Sequence, residues 1–288
     1  MLNLVINSII NGILLGGVYA LLAMGLNLLF GVLKLIHLAY GQCVMMGLYF
    51  LYVLVAVLGL PFYLGAIVTI IATGVLGILI HIFVVKPLIN APRLNQLLAL
   101  AGLIFVFENL ALIVWGADYR SIQITLPVVS VAGFYIRMSY LIAFFGGLIT
   151  LAFLYLFLHK TYLGLSIRAI SQDLDGVKLM GVNPAINYYI TMALGGILTG
   201  IVAVFFAPIY PVHPHFGASF TMLAFIIVVF GGMGNLLGGF ISAFIMGVVT
   251  SVAAFLTTSE IADIIVLTIF ILVMLVRPQG IMGVRETR

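Results

Sequence analysis

Charged residues interrupt this chain so rarely that the intervals between them carry most of its information. There is none from Met1 to Leu33, none in the 51 residues from Leu35 to Val85, and none in the 81 residues from Leu179 to Ser259. A helix needs about 20 apolar residues to cross a hydrocarbon layer of roughly 30 Å, so the two longer runs hold two and three crossings. The short alternating segments of a membrane barrel are absent. Breaks at Gly, Pro and charge clusters place nine helical spans: Leu4–Phe30, Leu38–Leu58, Phe62–Val85, Leu94–Trp115, Ser139–Leu158, Asn187–Ala207, Ala218–Phe230, Leu237–Leu256 and Ile261–Val276. The seventh is short, and its Gly231-Gly232-Met233-Gly234 end reads as a broken or re-entrant element, which would reduce the count to eight. The pattern predicts an all-α integral membrane bundle of 8–9 helices forming a single transmembrane domain, with one polar cytoplasmic segment at about 159–186.

Composition agrees: 65% of the 288 residues are hydrophobic and 6% charged, with a mean hydropathy of +1.38, whereas a soluble domain carries about a quarter of its residues charged. Cys43 is alone, so no disulfide framework forms within the chain. The opening Met1-Leu2-Asn3-Leu4 lacks the positive n-region of a cleavable signal, and the first hydrophobic segment is expected to remain as a span. The net charge of +4 reads as topology rather than as affinity for nucleic acid, because Lys and Arg concentrate on the cytoplasmic side of a membrane. With the N-terminus outside, the inner segments hold Lys34, Lys86, Arg93, Lys160, Arg168, Lys178, Arg277, Arg285 and Arg288, and the outer ones only Arg120 and Arg137. That bias requires an even number of spans after Lys178, hence nine spans with the N-terminus out and the C-terminus in. Trp115 and Tyr119 flank one interface, Tyr162, Tyr188 and Tyr189 the other.

The polar exception is His159–Asn187, which holds five of the eighteen formal charges. Ser166 is placed to cap a helix running to about Met180, with Gly181 as its stop. Ile167, Ile170, Leu174 and Val177 follow 3-4-3 spacing and share one apolar face, with Arg168, Asp173, Asp175 and Lys178 on the others. Such a helix suits either docking onto a soluble partner or lying in the lipid interface.

These residues resemble a known family. Arg168-Ala169, Ser171, Asp173 and Gly181-Val182-Asn183 resemble the cytoplasmic loop of ABC-importer permeases of the branched-chain amino acid type. The Gly-rich segment Gly12–Asn27, the following Phe30–Gly41, the run Val229–Asn235 and the exit Arg277-Pro278-Gln279-Gly280 match in the same order. Tyr40 and Gln42 stand where the family more often has a small or acidic residue, and Val177 where Ala is usual. The resemblance implies a subunit of the bacterial inner membrane, working with cytoplasmic ATP-binding subunits, a second homologous permease and an extracytoplasmic substrate-binding protein. It implies that Ser166, Arg168, Ala169, Ser171, Asp173, Gly181 and Asn183 belong to the segment that couples to the ATPase. The long outer segment Gly116–Met138, with Asp118, Arg120 and Arg137, becomes the candidate contact for the binding protein.

Other motifs carry little. No Gly-x-x-x-x-Gly-Lys-Ser/Thr occurs, so ATP is expected on a partner chain; no cofactor and no enzymatic activity are expected. Asn183-Pro184-Ala185 matches the aquaporin tripeptide but is a single copy, and reads as a turn into the next span. His213-Pro214-His215 is the nearest approach to metal-ligand spacing and reads as a Pro-rich turn, so no metal is expected. Glu108 lies two-thirds along the fourth span, where an ionisable group marks a polar cavity or pathway; a protonated side chain hydrogen-bonded to a neighbouring helix and a shallower position are the competing readings. Asn3, Asn7 and Asn11 share a face of the first helix, suited to helix–helix hydrogen bonds or to a pathway. The break Gly31–His37 is the kind of interruption that frames transport sites. The candidate pathway residues are therefore Asn27, Lys34, His37, Gln42 and Glu108. A self-contained channel or secondary transporter for a small neutral solute is the leading alternative; an assembly subunit without a pathway is a second.

Overall fold

The computed structural model of the chain describes residues 2–124, 126–131, 134–277 and 279–282; Pro278, Arg285 and Arg288 lie outside the described residues. The elements in order are α1 (Leu2–Leu33), α2 (Tyr40–Tyr52) extended by a π-helical turn (Val53–Val57), α3 (Phe62–Ile80) extended by a second π-helical turn (His81–Val85) and α4 (Lys86–Leu88), then α5 (Arg93–Trp115). A short antiparallel hairpin, β1 (Val128–Val131) with β2 (Phe134–Arg137), pairs Val128 with Arg137. There follow α6 (Met138–Lys160), α7 (Tyr162–Gln172), α8 (Leu174–Leu179), α9 (Pro184–Phe206), α10 (Phe216–Gly231), α11 (Leu236–Leu256) and α12 (Ser259–Val276). Among the described residues seven helical stretches are long and apolar enough to cross a membrane; α10 and the Ile261–Val276 part of α12 are apolar but shorter.

The lengths follow from the breaks. With 32 residues, α1 is about 48 Å long at 1.5 Å per residue, more than a bilayer core. It ends where Lys34 takes a left-handed backbone (φ 54°) and donates its N–H to the Phe30 carbonyl at 2.9 Å, a conformation that costs a non-glycine residue roughly 1–2 kcal/mol. The sixteen residues of α10 reach only about 24 Å. Its orphan carbonyls are met by the end of the described chain, which folds back: Ile281 N–H donates to Phe230 (2.8 Å) and Met282 N–H to Gly231 (3.1 Å). The short seventh span is thus a helix closed by a tail that sequence spacing did not connect to it.

Lipid offers helices no hydrophobic drive to associate, so they bind through close backbone approach at small residues. Two antiparallel pairs do this. In α1 and α11, Gly12 and Gly16 face Gly247; a Cβ on Gly247 would sit 2.5 Å from the Gly16 nitrogen. In α3 and α9, Gly77 lies against the Met192 carbonyl and Gly196, while Gly196 and Gly200 press on Thr73. α9 also touches α1 and α2, and α6 lies along α1 through Gly17 and Gly147. By contrast α5 leans mainly on α2 and the His81–Val85 turn and exposes Phe105, Val106 and Ile113.

The polar segments gather at the two ends. One end brings together the close of α1, the α4–α5 turn, α7–α8 and the start of α9 around one cavity, with the α10–α11 turn beside Gly31. At the other end the Arg120 and Val212 backbones form an antiparallel bridge, and Ser251 donates to the Ser8 carbonyl at 2.7 Å.

Gly247→Val should destabilise the chain by about 1–3 kcal/mol through overpacking at the α1–α11 contact. Gly102→Ala, with nothing within 4 Å of the added methyl, should be neutral or slightly stabilising. Thermal unfolding of both variants in detergent checks the contrast.

Candidate functional site

The amphipathic segment is two helices, not one. Thr161 caps α7 by accepting the Gly164 N–H at 3.0 Å, and the chain turns at Asp173, whose carboxylate accepts the Asp175 (3.1 Å) and Gly176 (3.0 Å) N–H groups to start α8. The expectation of a single helix capped by Ser166 is corrected: Ser166 is buried within α7 and its hydroxyl turns back to the Tyr162 carbonyl at 2.7 Å. Asp173 is the better cap because its carboxylate reaches two free N–H groups in an extended backbone. Gly181 (φ 78°) ends α8, with its own N–H to Lys178 and the Val182 N–H to Val177, the paired bonds of a Schellman stop. Asn183 then caps α9 through the Ala185 N–H at 2.9 Å.

The shared stripe packs into the chain's own bundle. Ile167, Ile170 and Val177 are buried, against α1, α6 and α9, while Leu174 is exposed. Three of its four residues are thus taken up by the chain's own helices. Arg168 donates from Nε to the Leu158 carbonyl at 2.9 Å, tying α7 to the end of α6. Ser171 bonds the Arg168 carbonyl at 2.7 Å, and Ala169 is half-buried beside it. What α8 presents outward is Leu179 and Met180, 90% and 85% exposed, with Asp175 and Lys178 paired at 3.0 Å.

Two of the pathway candidates meet; the others do not join them. Gln42, fully buried at the start of α2, donates Nε2 to Glu108 Oε1 at 3.4 Å. The other Glu108 oxygen faces His215 Nδ1 at 3.3 Å. Thr221 completes the cluster, accepting the Gly41 N–H at 2.9 Å and facing Gln42 Oε1 at 3.2 Å. Glycine makes this possible, since a Cβ on Gly217 would lie 2.7 Å from the Gln42 Cα. Glu108 is thus bonded rather than free, its carboxylate linking α5 to α2 and to the segment before α10. In sequence His215 stands out only as part of the His213-Pro214-His215 turn, and Thr221 carries no signal beyond being polar in an apolar stretch.

Asn27 lies elsewhere. Its amide donates to the Asn235 carbonyl and accepts the Gly234 N–H, both at 2.6 Å, clamping the α10–α11 turn. His37 is buried in the non-helical stretch 34–39, with Nδ1 unpartnered, beside a void about one water in size that Tyr40 and Thr199 also line. Lys34 is exposed at the end of α1.

The outer loop is anchored by Arg120, which holds the Trp115 carbonyl (3.1 Å) and pairs with exposed Asp118 at 3.7 Å. The Tyr119 ring meets His213 at 4.7 Å; burial, and then the neighbouring His215, push the His213 imidazole below its ordinary pKa. Arg137 is exposed at the end of β2.

Residues 8–274 match the family described as branched-chain amino acid transport system / permease component. The chain belongs to this permease family. It is 28% identical to the high-affinity branched-chain amino acid transport system permease protein BraD of Pseudomonas aeruginosa, over 96% of this chain and 95% of that one. It is 26% identical to LivH of Escherichia coli strain K12, at the same coverages. It is 23% identical to a probable LivH of Methanocaldococcus jannaschii, over 94% of this chain and 90% of that one. Among solved structures it is similar in fold to PsaBC from Streptococcus pneumoniae in complex with Fab, with a TM-score of 0.56, 15% identity and 97% of each chain covered. Family and fold make it a multi-pass inner-membrane transport subunit and not an enzyme.

Thr221→Val should cost about 1–3 kcal/mol of stability by leaving the buried Gly41 N–H unsatisfied, whereas Thr221→Ser should retain most of it. Unfolding midpoints of the two variants in detergent separate the hydroxyl from the packing.

Proposed function

We propose that the chain is one permease subunit of an ABC importer for branched-chain or related hydrophobic amino acids. It works with cytoplasmic ATP-binding subunits, a second homologous permease and an extracytoplasmic binding protein. The observation that carries the reading is the α7–α8 pair: its apolar stripe is locked into the bundle, while Leu179 and Met180 stand free at its tip. Force applied to that tip passes through the buried stripe and the Arg168–Leu158 bond to α1, α6 and α9. In this reading Arg168, Asp173, Gly181 and Asn183 set the position of the pair, and the exposed apolar tip enters the ATPase.

The orientation proposed is N-terminus outside and C-terminus cytoplasmic. Its support is that the end bearing α7–α8 also holds Lys34 and Lys178, with the Asn90 turn between Lys86 and Arg93. The opposite end, with Asp118, Arg120 and Arg137, is the proposed face for the binding protein. Gln42 and Glu108 are proposed to line the pathway toward that end. A carboxylate is suited to meet the ammonium group of an amino acid; here one oxygen is held by the Gln42 amide and the other faces the exposed His215 ring. Asn27 and His37 contribute by holding the broken-helix region in place.

Uptake of labelled leucine into proteoliposomes holding the assembled complex tests the reading: it should require ATP, the ATPase and the binding protein, and transport without them would overturn it in favour of a self-contained carrier. Glu108→Gln should insert normally yet lower uptake by about tenfold or more, the rate equivalent of losing a hydrogen bond to a charged group worth roughly 1.5–3 kcal/mol. Leu179→Glu with Met180→Glu should abolish co-purification of the ATPase while the chain itself still folds.

A further inference from the structure

The cavity between the end of α1, the α4–α5 turn, α7–α8 and the start of α9 measures about 470 Å³, within the range of small-ligand sites. Its charged lining is two ammonium groups, those of Lys34 and Lys178, joined by the amides of Asn90 and Gln172. No acid lies within 4 Å of Lys34 among the described residues, and Lys178 has only the exposed Asp175. Asp173, the other acid of this segment, spends an oxygen on the α8 N–H groups. A cation with no acid within 4 Å, lining one cavity with a second whose only acid is exposed, makes a site for an anion.

The remaining walls say which anion. Val32 and Ile89 give the cavity apolar sides. Flanking the α4–α5 turn on the outside of the bundle are the exposed apolar side chains Phe83 (74%) and Leu94 and Leu98 (65% and 63%). Lys86 and Arg93, also exposed, stand at the two ends of that turn. Basic pockets at the ends of membrane helices recruit anionic headgroups, and the apolar flank gives acyl chains a surface that a free phosphate would not use.

We infer that this cavity binds the phosphodiester headgroup of an anionic phospholipid, with Lys34 and Lys178 meeting the phosphate and the acyl chains running along the exposed flank of α3 and α5. The site stands whether or not ATP drives the chain, since it requires only that this end of the bundle lie at a membrane surface. Lipid bound there would brace α8 against the ends of α1 and α9.

Native mass spectrometry of the full-length chain in detergent tests this, with phosphatidylglycerol, phosphatidylcholine and glycerol 3-phosphate as probes. The wild type should retain phosphatidylglycerol and be thermally stabilised by it, with phosphatidylcholine at least tenfold weaker. Lys34→Gln with Lys178→Gln should lower phosphatidylglycerol retention about tenfold, while Lys160→Gln, at the same end outside the cavity, should leave it unchanged. Equal retention of the two lipids, or undiminished retention by the double variant, overturns the proposal. Displacement of the lipid by equimolar glycerol 3-phosphate overturns the lipid as occupant and assigns a soluble phosphate. Displacement by the cytoplasmic ATPase assigns the cavity to a protein contact. If the double variant aggregates, Lys34→Gln alone should lose retention severalfold and the Lys34→Arg, Lys178→Arg variant should keep it; failure of either outcome also overturns the site.

Discussion

Close approach of helix backbones at glycine is the interaction on which the rest of this structure depends. Inside a bilayer a leucine gains nothing by leaving lipid for another leucine, so dispersion contacts at short range must hold the helices together. Gly16 against Gly247 and Gly77 against Gly196 bring α1 to α11 and α3 to α9. These antiparallel pairs, joined by α9 along α1 and α2, form the rigid interior. Helices without such contacts stay at the margin: α5 buries only Leu100, Phe107 and Ala111 of its apolar side chains.

A rigid interior allows irregular backbone where regular helix would otherwise be obligatory. Non-helical backbone survives at membrane depth only when protein surrounds it. The stretch 34–39 meets that condition: Leu35, His37 and Ala39 are buried, and the Leu38 and Tyr40 N–H groups find the Ile36 and His37 carbonyls at 3.0 and 3.1 Å. Interrupting the helix there lets α2 restart beside α10, with the Tyr40 ring against Gly25. The polar cluster of Gln42, Glu108, His215 and Thr221 exists because that restart sets Gly41 against Gly217.

The same rigidity gives the α7–α8 pair its character. A surface helix held by lipid alone would slide in its interface. Here a buried stripe, an arginine bonded to the end of α6 and three successive caps at Thr161, Asp173 and Asn183 fix it to three spans at once. Displacement of its exposed tip is therefore felt across the bundle rather than absorbed locally.

Hydrophobicity and charge spacing by themselves determined the membrane class, the order of the apolar helices, and which segments share an end, because lipid imposes length and composition on every crossing; they left the count at eight or nine and read the α7–α8 pair as one helix. Local chemistry also announced the stop at Gly181 and the turn at Asn183. The sequence pattern misjudged the cap of the charged segment: a serine at the right spacing resembles a cap, but the extended backbone that frees N–H groups for a carboxylate occurs at Asp173. Glu108 and Gln42 could each be marked as polar residues in apolar surroundings, yet their meeting, and the entry of His215 and Thr221, depended on glycines that let α2 and α10 cross. The clamp of Asn27 on Gly234 and Asn235, and the return of residues 281–282 to the end of α10, join positions some 50 to 200 apart in sequence. No local pattern encodes such pairings; only the packing of the whole bundle decides them.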